Sequence, residues 1–381
     1  MRNIIFVLFI TFFCSCEGTK SNQILDFKIV DVLEVIPEVM LSPNPAQIRL
    51  IESDSGRFIF VLSHISKNFN IFNLENGKLV KEIILDYDGP NSVRNFTGVG
   101  NLENNRIWLT FSPHAIGYTD FDGNLLFKRS IKLDLIDITV VYSNFYQSLY
   151  LYRNKVFGMQ PLFMGHHKMS ESDIMRHPLV YSFDLILNKE KWYDVFYSQN
   201  YWSKGKKLSN FSWARRENKL YISPWYDHEI QVFNMETEVV EEKVIAKSDK
   251  INNFYYVNEI PGSNEEGLRN RIKHDLYGIL LYDKYRDCFY RFFFPGYEDD
   301  EQYSMEDLWR LDRSRPYTGI MVLDKDLNVV GEFVFEKFQI HATSNMFVGE
   351  RGLYLSLNNE NSPDFNEESL RYLVVQFDKQ E

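Results

Sequence analysis

The sequence predicts an all-β chain: a six-bladed β-propeller whose ring closes when an N-terminal strand completes the C-terminal blade. Three observations lead there. A strand–turn–strand phrase recurs along the whole chain, at the spacing of a blade architecture. Residues that favour strands are abundant, with 31 Phe and 23 Tyr among 381 residues, while helical patterning is scarce. The last copy of the phrase is cut short, and an alternating strand near the N-terminus has no blade of its own.

In each copy an alternating strand meets a turn of Asp, Asn or Gly, and a second alternating strand leaves. The copies read NIFNLENGKLVKEI from Asn70, GYTDFDGNLLFKRSI from Gly117, VYSFDLILNKEKWYDV from Val180, IQVFNMETEVVEEKVI from Ile230, GIMVLDKDLNVVGEF from Gly319 and YLVVQFDKQE from Tyr372. A shorter apolar strand precedes most of them: RFIFVLS at Arg57, RIWLTFS at Arg106, SLYLYRN at Ser148, KLYISPW at Lys219 and GLYLSLN at Gly352. The final copy ends without a fourth strand, and LDFKIVDVLEVI from Leu25 supplies one, which pairs an edge that would otherwise stand open. The blades are expected at 38–85, 94–133, 136–197, 208–246, 275–336, and 343–378 with 25–37. The rival arrangements are a β-sandwich pair or a seven-bladed ring.

Three connections exceed what a plain ring needs: Phe157 to Pro178, Lys250 to His274 and Pro295 to Pro316. Within the second, Asn264 to His274 reads as a short helix, with Glu265 and Glu266 early and Lys273 and His274 late. Long loops on a rigid scaffold are where function concentrates.

The first residues, MRNIIFVLFITFFCSC, carry Arg2, an apolar run too short to span a bilayer, and Ser15 before Cys16. They resemble a bacterial lipoprotein signal, with Phe13 where Leu is usual. That resemblance implies a signal over 1–15, a lipid on Cys16 and a tether over 16–24, ahead of the single propeller domain that the strand repeats place over 25–381. The membrane is then one partner, reached through the lipid, and the address is the bacterial envelope, with the outer membrane expected. An ordinary secretory signal cleaved nearby is the alternative.

The chain is acidic, with a formal net charge of −11 and no basic stripe, which argues against nucleic acid as a partner. Acylation of Cys16 and removal of the signal would leave Cys288 as the one free thiol, so stability must come from a buried core.

The phrase LYGILLYDKYRDCFYRFFF at Leu276, together with GIMVLDKDLNVVGEF and the signal, resembles an uncharacterised family of Bacteroidota-type lipoproteins. The resemblance implies a six-bladed propeller and an envelope address, and it brings no catalytic residues. On its own, Tyr282 to Arg286 reads as a polar hairpin turn whose Asp and Arg bond locally.

In a propeller, the loops between second and third strands share one side with the connections between blades. His64, His114, His166, His167, His177, His228, His274 and His341 all map to that side. Arg94, Trp202, Lys204, Lys206, Lys207, Trp225, Tyr226 and Asp227 join them. Imidazoles donate, accept, titrate near neutrality or bind metal, and aromatic rings beside polar groups suit a glycan or peptide. Trp108, Trp192 and Trp213 read instead as filling between blades.

Other signals point nowhere firm. His166, His167 and His177 lack regular zinc-ligand spacing, and no cofactor motif is present. Asp86 to Gly89 and Asp120 to Gly123 lack the remaining ligands of a calcium loop, so they read as turns. Glu298 to Glu301 reads as a solvated acidic run, and Cys288 as strand filler. The expected function is non-catalytic binding of a peptide, glycan or protein partner on the histidine side. The alternative is a glycoside hydrolase or lyase at the same place.

Overall fold

A computed structural model describes residues 25–379, apart from 64–65, 90–91, 132–140, 161–167, 261 and 299–302. Cys16, the tether, His64, His166, His167 and most of the acidic run at Glu298 lie outside the described residues.

Six four-stranded antiparallel sheets form the ring, each ordered from the channel outwards. Blade one holds β2 (Ile48–Ser53), β3 (Gly56–Leu62), β4 (Phe69–Asn73) and β5 (Leu79–Ile83). Blade two holds β6 (Phe96–Glu103), β7 (Arg106–Phe111), β8 (Ala115–Thr119) and β9 (Leu125–Ser130). Blade three holds β10 (Tyr150–Tyr152), β11 (Lys155–Met159), β12 (Val180–Asp184) and β13 (Lys189–Trp192). Blade four holds β14 (Phe211–Arg216), β15 (Lys219–Pro224), β16 (Glu229–Asn234) and β17 (Val239–Ile245). Blade five holds β18 (Leu276–Asp283), β19 (Cys288–Phe294), β20 (Gly319–Leu323) and β21 (Val329–Val334). Blade six holds β22 (His341–Gly349), β23 (Gly352–Ser356), β24 (Leu370–Lys379) and, outermost, β1 (Leu25–Val35).

The ring therefore closes as the sequence predicts, with β1 antiparallel to β24 from Leu25 opposite Lys379 to Val35 opposite Leu370. Two glycines show that β1 is a true outer strand. Gly123, in the outer turn of blade two, has φ +88°, and a Cβ there would meet the carbonyl oxygen of Ile84, just after β5, at 2.1 Å. Gly77, in the outer turn of blade one, has φ +70°, and its Cβ would meet Ile36 O, just after β1, at 2.2 Å. Blade six thus abuts blade one as blade one abuts blade two, and both junctions need the absent side chain.

The core lies in the layers between blades. Phe and Tyr fill it, because broad flat side chains cover the facing pleated surfaces. Phe27 of β1 stacks on Phe333 of β21 with ring centroids 4.2 Å apart. Trp108 and Trp213 are buried, and Trp192 packs on Tyr181, so all three fill between blades.

Some elements differ from expectation. SLYLYRN at Ser148 contributes the innermost strand of blade three, and Lys155–Met159 takes the second position. The expected helix is α2 (Asn264–Lys273), with Ser263 accepting a bond from the Glu266 amide at 3.1 Å. Two further helices were not expected: α1 (Glu171–Ile174) and α3 (Met305–Arg313). Helix α3 opens with a reciprocal capping box between Ser304 and Asp307. Leu308 and Leu311 of α3 meet Leu268 and Ile272 of α2 in a small core of their own, so the two helices form a cap on the connection side.

Candidate functional site

By strand order His114, His177 and His228 fall between second and third strands, His274 just before β18 and His341 at the first residue of β22, and they do not converge. His341 is 2% exposed and bonds Ser314 and Ser344, each at 2.8 Å, so it braces the entry to β22 and is out of reach of a surface ligand. His274 caps α2: its Nδ1 lies 2.6 Å from Asn270 O. His114 and His177 are half-buried in separate loops of blades two and three. Arg94 lines its own cavity of about 590 Å³ with Lys67 and Tyr87 near blades one and two. Trp225 belongs to a different, smaller cavity, of about 150 Å³, lined by residues of the innermost strands β18 and β22.

Asp227 and His228 do meet other sequence-predicted residues. They line a cavity of about 610 Å³ with Lys204, Lys207 and Lys247, and Tyr201, Phe254 and Tyr256 contribute rings to its wall. The connections entering and leaving blade four build it. They are strapped together where the Val257 amide donates to Lys206 O at 2.6 Å and the Lys206 amide donates to Asn258 Oδ1 at 2.7 Å. Asp275 fastens the second connection by accepting from the amides of Asn252, Asn253 and Gly296 at 2.7–2.8 Å.

The loop bearing Asp227 and His228 rests on a buried cation. Arg291 of β19 is fully buried, lies over the ring of Tyr277 at 3.6 Å, and donates to four backbone carbonyls. These are Pro224 at 3.0 Å, Asp227 at 2.6 Å, His228 at 3.2 Å and Ala246 at 2.8 Å. Main-chain dipoles thus solvate the guanidinium and fix the loop in return. Sequence reasoning missed Arg291. The available signal is a lone charge inside the apolar run CFYRFFF.

Charge in the cavity is unevenly paired. Lys207 is buried, 3.3 Å from Asp227, and burial pulls its pKa down against the pull of that carboxylate. Glu229 faces Lys243 at 3.6 Å. Lys204 and Lys247 are exposed and have no carboxylate partner among the described residues. Burial first, and the positive Arg291 second, lower the His228 pKa to about 4, so the ring is neutral at pH 7. Its Nδ1 lies 2.8 Å from the Tyr277 hydroxyl. Trp202 is buried, its Nε1 donating to Lys207 O at 2.8 Å, so it positions Lys207 and does not face a ligand.

Among the described residues no group of three His, Cys, Asp or Glu side chains could hold a metal. Asp120 accepts from the amides of Asp122 and Asn124, each at 2.9 Å, which is turn chemistry. Asp283 likewise accepts from the amides of Tyr285 and Arg286 and pairs with the Arg286 guanidinium at 2.7 Å. Burial pushes the Cys288 thiol up to about 11, away from nucleophilic use.

A family model described as a domain of unknown function, DUF4221, matches residues 21–333. The chain belongs to the DUF4221 family. A DUF4221 member from Bacteroides vulgatus has a similar solved structure, with 19% identity, 95% of this chain and 100% of that chain covered, and a TM-score of 0.76. A putative exported protein from Bacteroides fragilis is also similar, at 13% identity, 93% and 96% coverage and a TM-score of 0.52. Both likenesses show the fold alone. No curated protein matches the chain. For this DUF4221 chain the function must be argued from its own side chains. Among its described residues no helix is long and apolar enough to cross a membrane.

Proposed function

We infer that this DUF4221 protein is an envelope-tethered binding protein whose blade-four cavity receives a carboxylate-bearing oligosaccharide. The observation that supports the reading is a pair of ammonium groups, Lys204 and Lys247, with no carboxylate partner among the described residues, in a cavity walled by aromatic rings on an acidic chain. Rings offer an apolar face to a sugar, and the lysines attract its carboxylates. His228, its pKa lowered to about 4, adds a hydrogen-bonding group that is neutral at pH 7.

The tether is consistent with this use. The strand that follows it, β1, lies at the outer rim of the ring, where Phe27 packs on β21. A lipid on Cys16, about 30 Å of extended chain from Leu25 at most, would then hold the rim and leave the cavity open.

The competing enzyme reading draws on Asp227 and Glu229, which both line the cavity. Each faces a lysine, and His228 at a pKa of about 4 is a weak proton acceptor, so the arrangement favours holding a ligand over transforming it. Calorimetry with oligogalacturonate tests the proposal. Binding should weaken at least tenfold in Lys204→Ala/Lys247→Ala, fall steeply with salt, and be absent for neutral dextran. Equal affinity of the double variant would overturn it. New reducing or unsaturated ends on prolonged incubation would favour the enzyme.

A further inference from the structure

The helical cap leads to a second site that the blade-four reading does not use. An apolar groove of about 390 Å³ runs between α2, α3 and the connection before α2, lined by Tyr255, Val257, Ile260, Leu268 and Trp309. Ile260 is 67% exposed and Trp309 43% exposed, which is unusual for side chains of their size grouped together. The groove shares Leu208 and Arg271 with the smaller cavity of about 150 Å³ at the inner strands. The two spaces therefore meet at Arg271.

The smaller cavity has donors without acceptors. Trp225 Nε1 and Arg271 Nε are both buried, and no acceptor among the described residues bonds either. A buried N–H left unpaired is costly, so two beside one cavity call for an oxygen to fill it. The local charge agrees. Arg271 and Arg315 both face Asp312, at 2.8 and 3.9 Å, so two guanidinium groups meet one carboxylate. The nearby Asp275 is occupied by three backbone amides.

We propose that the cap forms a binding site for a small amphipathic carboxylate, its oxygen head at Arg271 and Trp225 and its hydrocarbon tail along Ile260, Val257 and Trp309. An uncharged alcohol of the same length would fill the groove but offer one neutral oxygen to two donors, where a carboxylate offers two charged ones. A short anion such as acetate would satisfy the donors and leave the groove uncovered. Discrimination between these three is the signature of the site.

The test uses the described propeller domain preceded by its tether, with ligand-observed NMR titrations of octanoate, 1-octanol and acetate. Octanoate should bind saturably, 1-octanol at least about tenfold more weakly, and acetate not measurably in the same range. Ile260→Asp, at an exposed position, should abolish octanoate binding. Arg271→Gln should erase the preference for octanoate over octanol. If that variant loses its melting transition, Trp225→Phe removes the other donor and should weaken octanoate alone. The Lys204→Ala/Lys247→Ala variant should bind octanoate normally, which separates this site from the blade-four cavity. Absence of saturable octanoate binding, equal affinity for octanol, indifference to Ile260→Asp, or loss of octanoate in the double lysine variant would each overturn the proposal.

Discussion

Replacing Arg291 by Met should cost far more than removal of a surface charge, and the structure sets the size. The guanidinium serves four carbonyl oxygens, of which His228 O keeps a second donor in the Ala246 amide at 2.9 Å. All four oxygens then lose their charged partner, and three of them are left without such a second donor. Each buried, unpaired polar group costs about 1–3 kcal/mol, while relief from burying a cation offsets part of the sum, leaving about 3–4 kcal/mol. Unfolding entropy near 2.1 cal/mol/K per residue amounts to about 0.7 kcal/mol/K over this domain, so the melting temperature should fall by about 4–6 °C. Arg291→Lys keeps a charge with three donors and should fall roughly half as far. The drop should be insensitive to salt, because the partners are dipoles and not ions. Hydrogen exchange should quicken at residues 225–229 and 246, around the blade-four cavity, as well as on β19. A melting temperature within about 1 °C of the native protein, with those amides still protected, would refute the view that this cation holds the loop.

Two further predictions concern closure and acid stability. Phe27→Ala removes a stacked partner of Phe333 and should cost about 2–3 kcal/mol, whereas Val32→Ala, 60% exposed on the same strand, should change the melting point by under 1 °C. Equal effects from the two would mean that β1 does not seal the ring. His341, buried and bonded between serines, has its pKa lowered to about 3 by burial first and Arg313 second. Its folded pKa lies below its unfolded value of about 6.5, so the unfolded state binds the extra proton. Stability is therefore full above about pH 6.5 and declines as pH falls toward 3. A pH series of thermal melts should show that decline flattened in His341→Gln. An unchanged acid limb would remove His341 as its source.

The ring was legible because its signals are local. Period-two alternation and Asp, Asn or Gly turns mark each outer hairpin, and a missing fourth strand at one end matched a spare strand at the other. Blade three was misaligned because SLYLYRN and KVFGM are both short apolar runs, and alternation cannot say which of two faces the channel. Helix α3 escaped notice although Ser304-x-x-Asp307 and the Leu308, Leu311 spacing were present. The acidic start of that insertion drew the reading toward a solvated loop.

The site was less legible because its decisive contacts are non-local. Topology gave the side on which the histidines fall, but not which ones the core would claim. His341 looks like any loop histidine until Ser314, from a different insertion, is seen against it. Lys207 and Asp227 stand 20 residues apart, on a connection and on the β15–β16 loop, and only the fold brings them to 3.3 Å. Arg291 supports the stronger lesson. A cation inside CFYRFFF cannot be accommodated in an apolar layer unless something solvates it. No acid neighbours it in that strand, so the compensation had to come from elsewhere in the fold. In a propeller the nearest available oxygens are the carbonyls of the adjacent blade's loop. A single charge in an otherwise apolar inner strand therefore points across the blade junction, to the loop whose shape it fixes. Here that loop carries Asp227 and His228, so the oddest residue of one strand marks the cavity of the next blade.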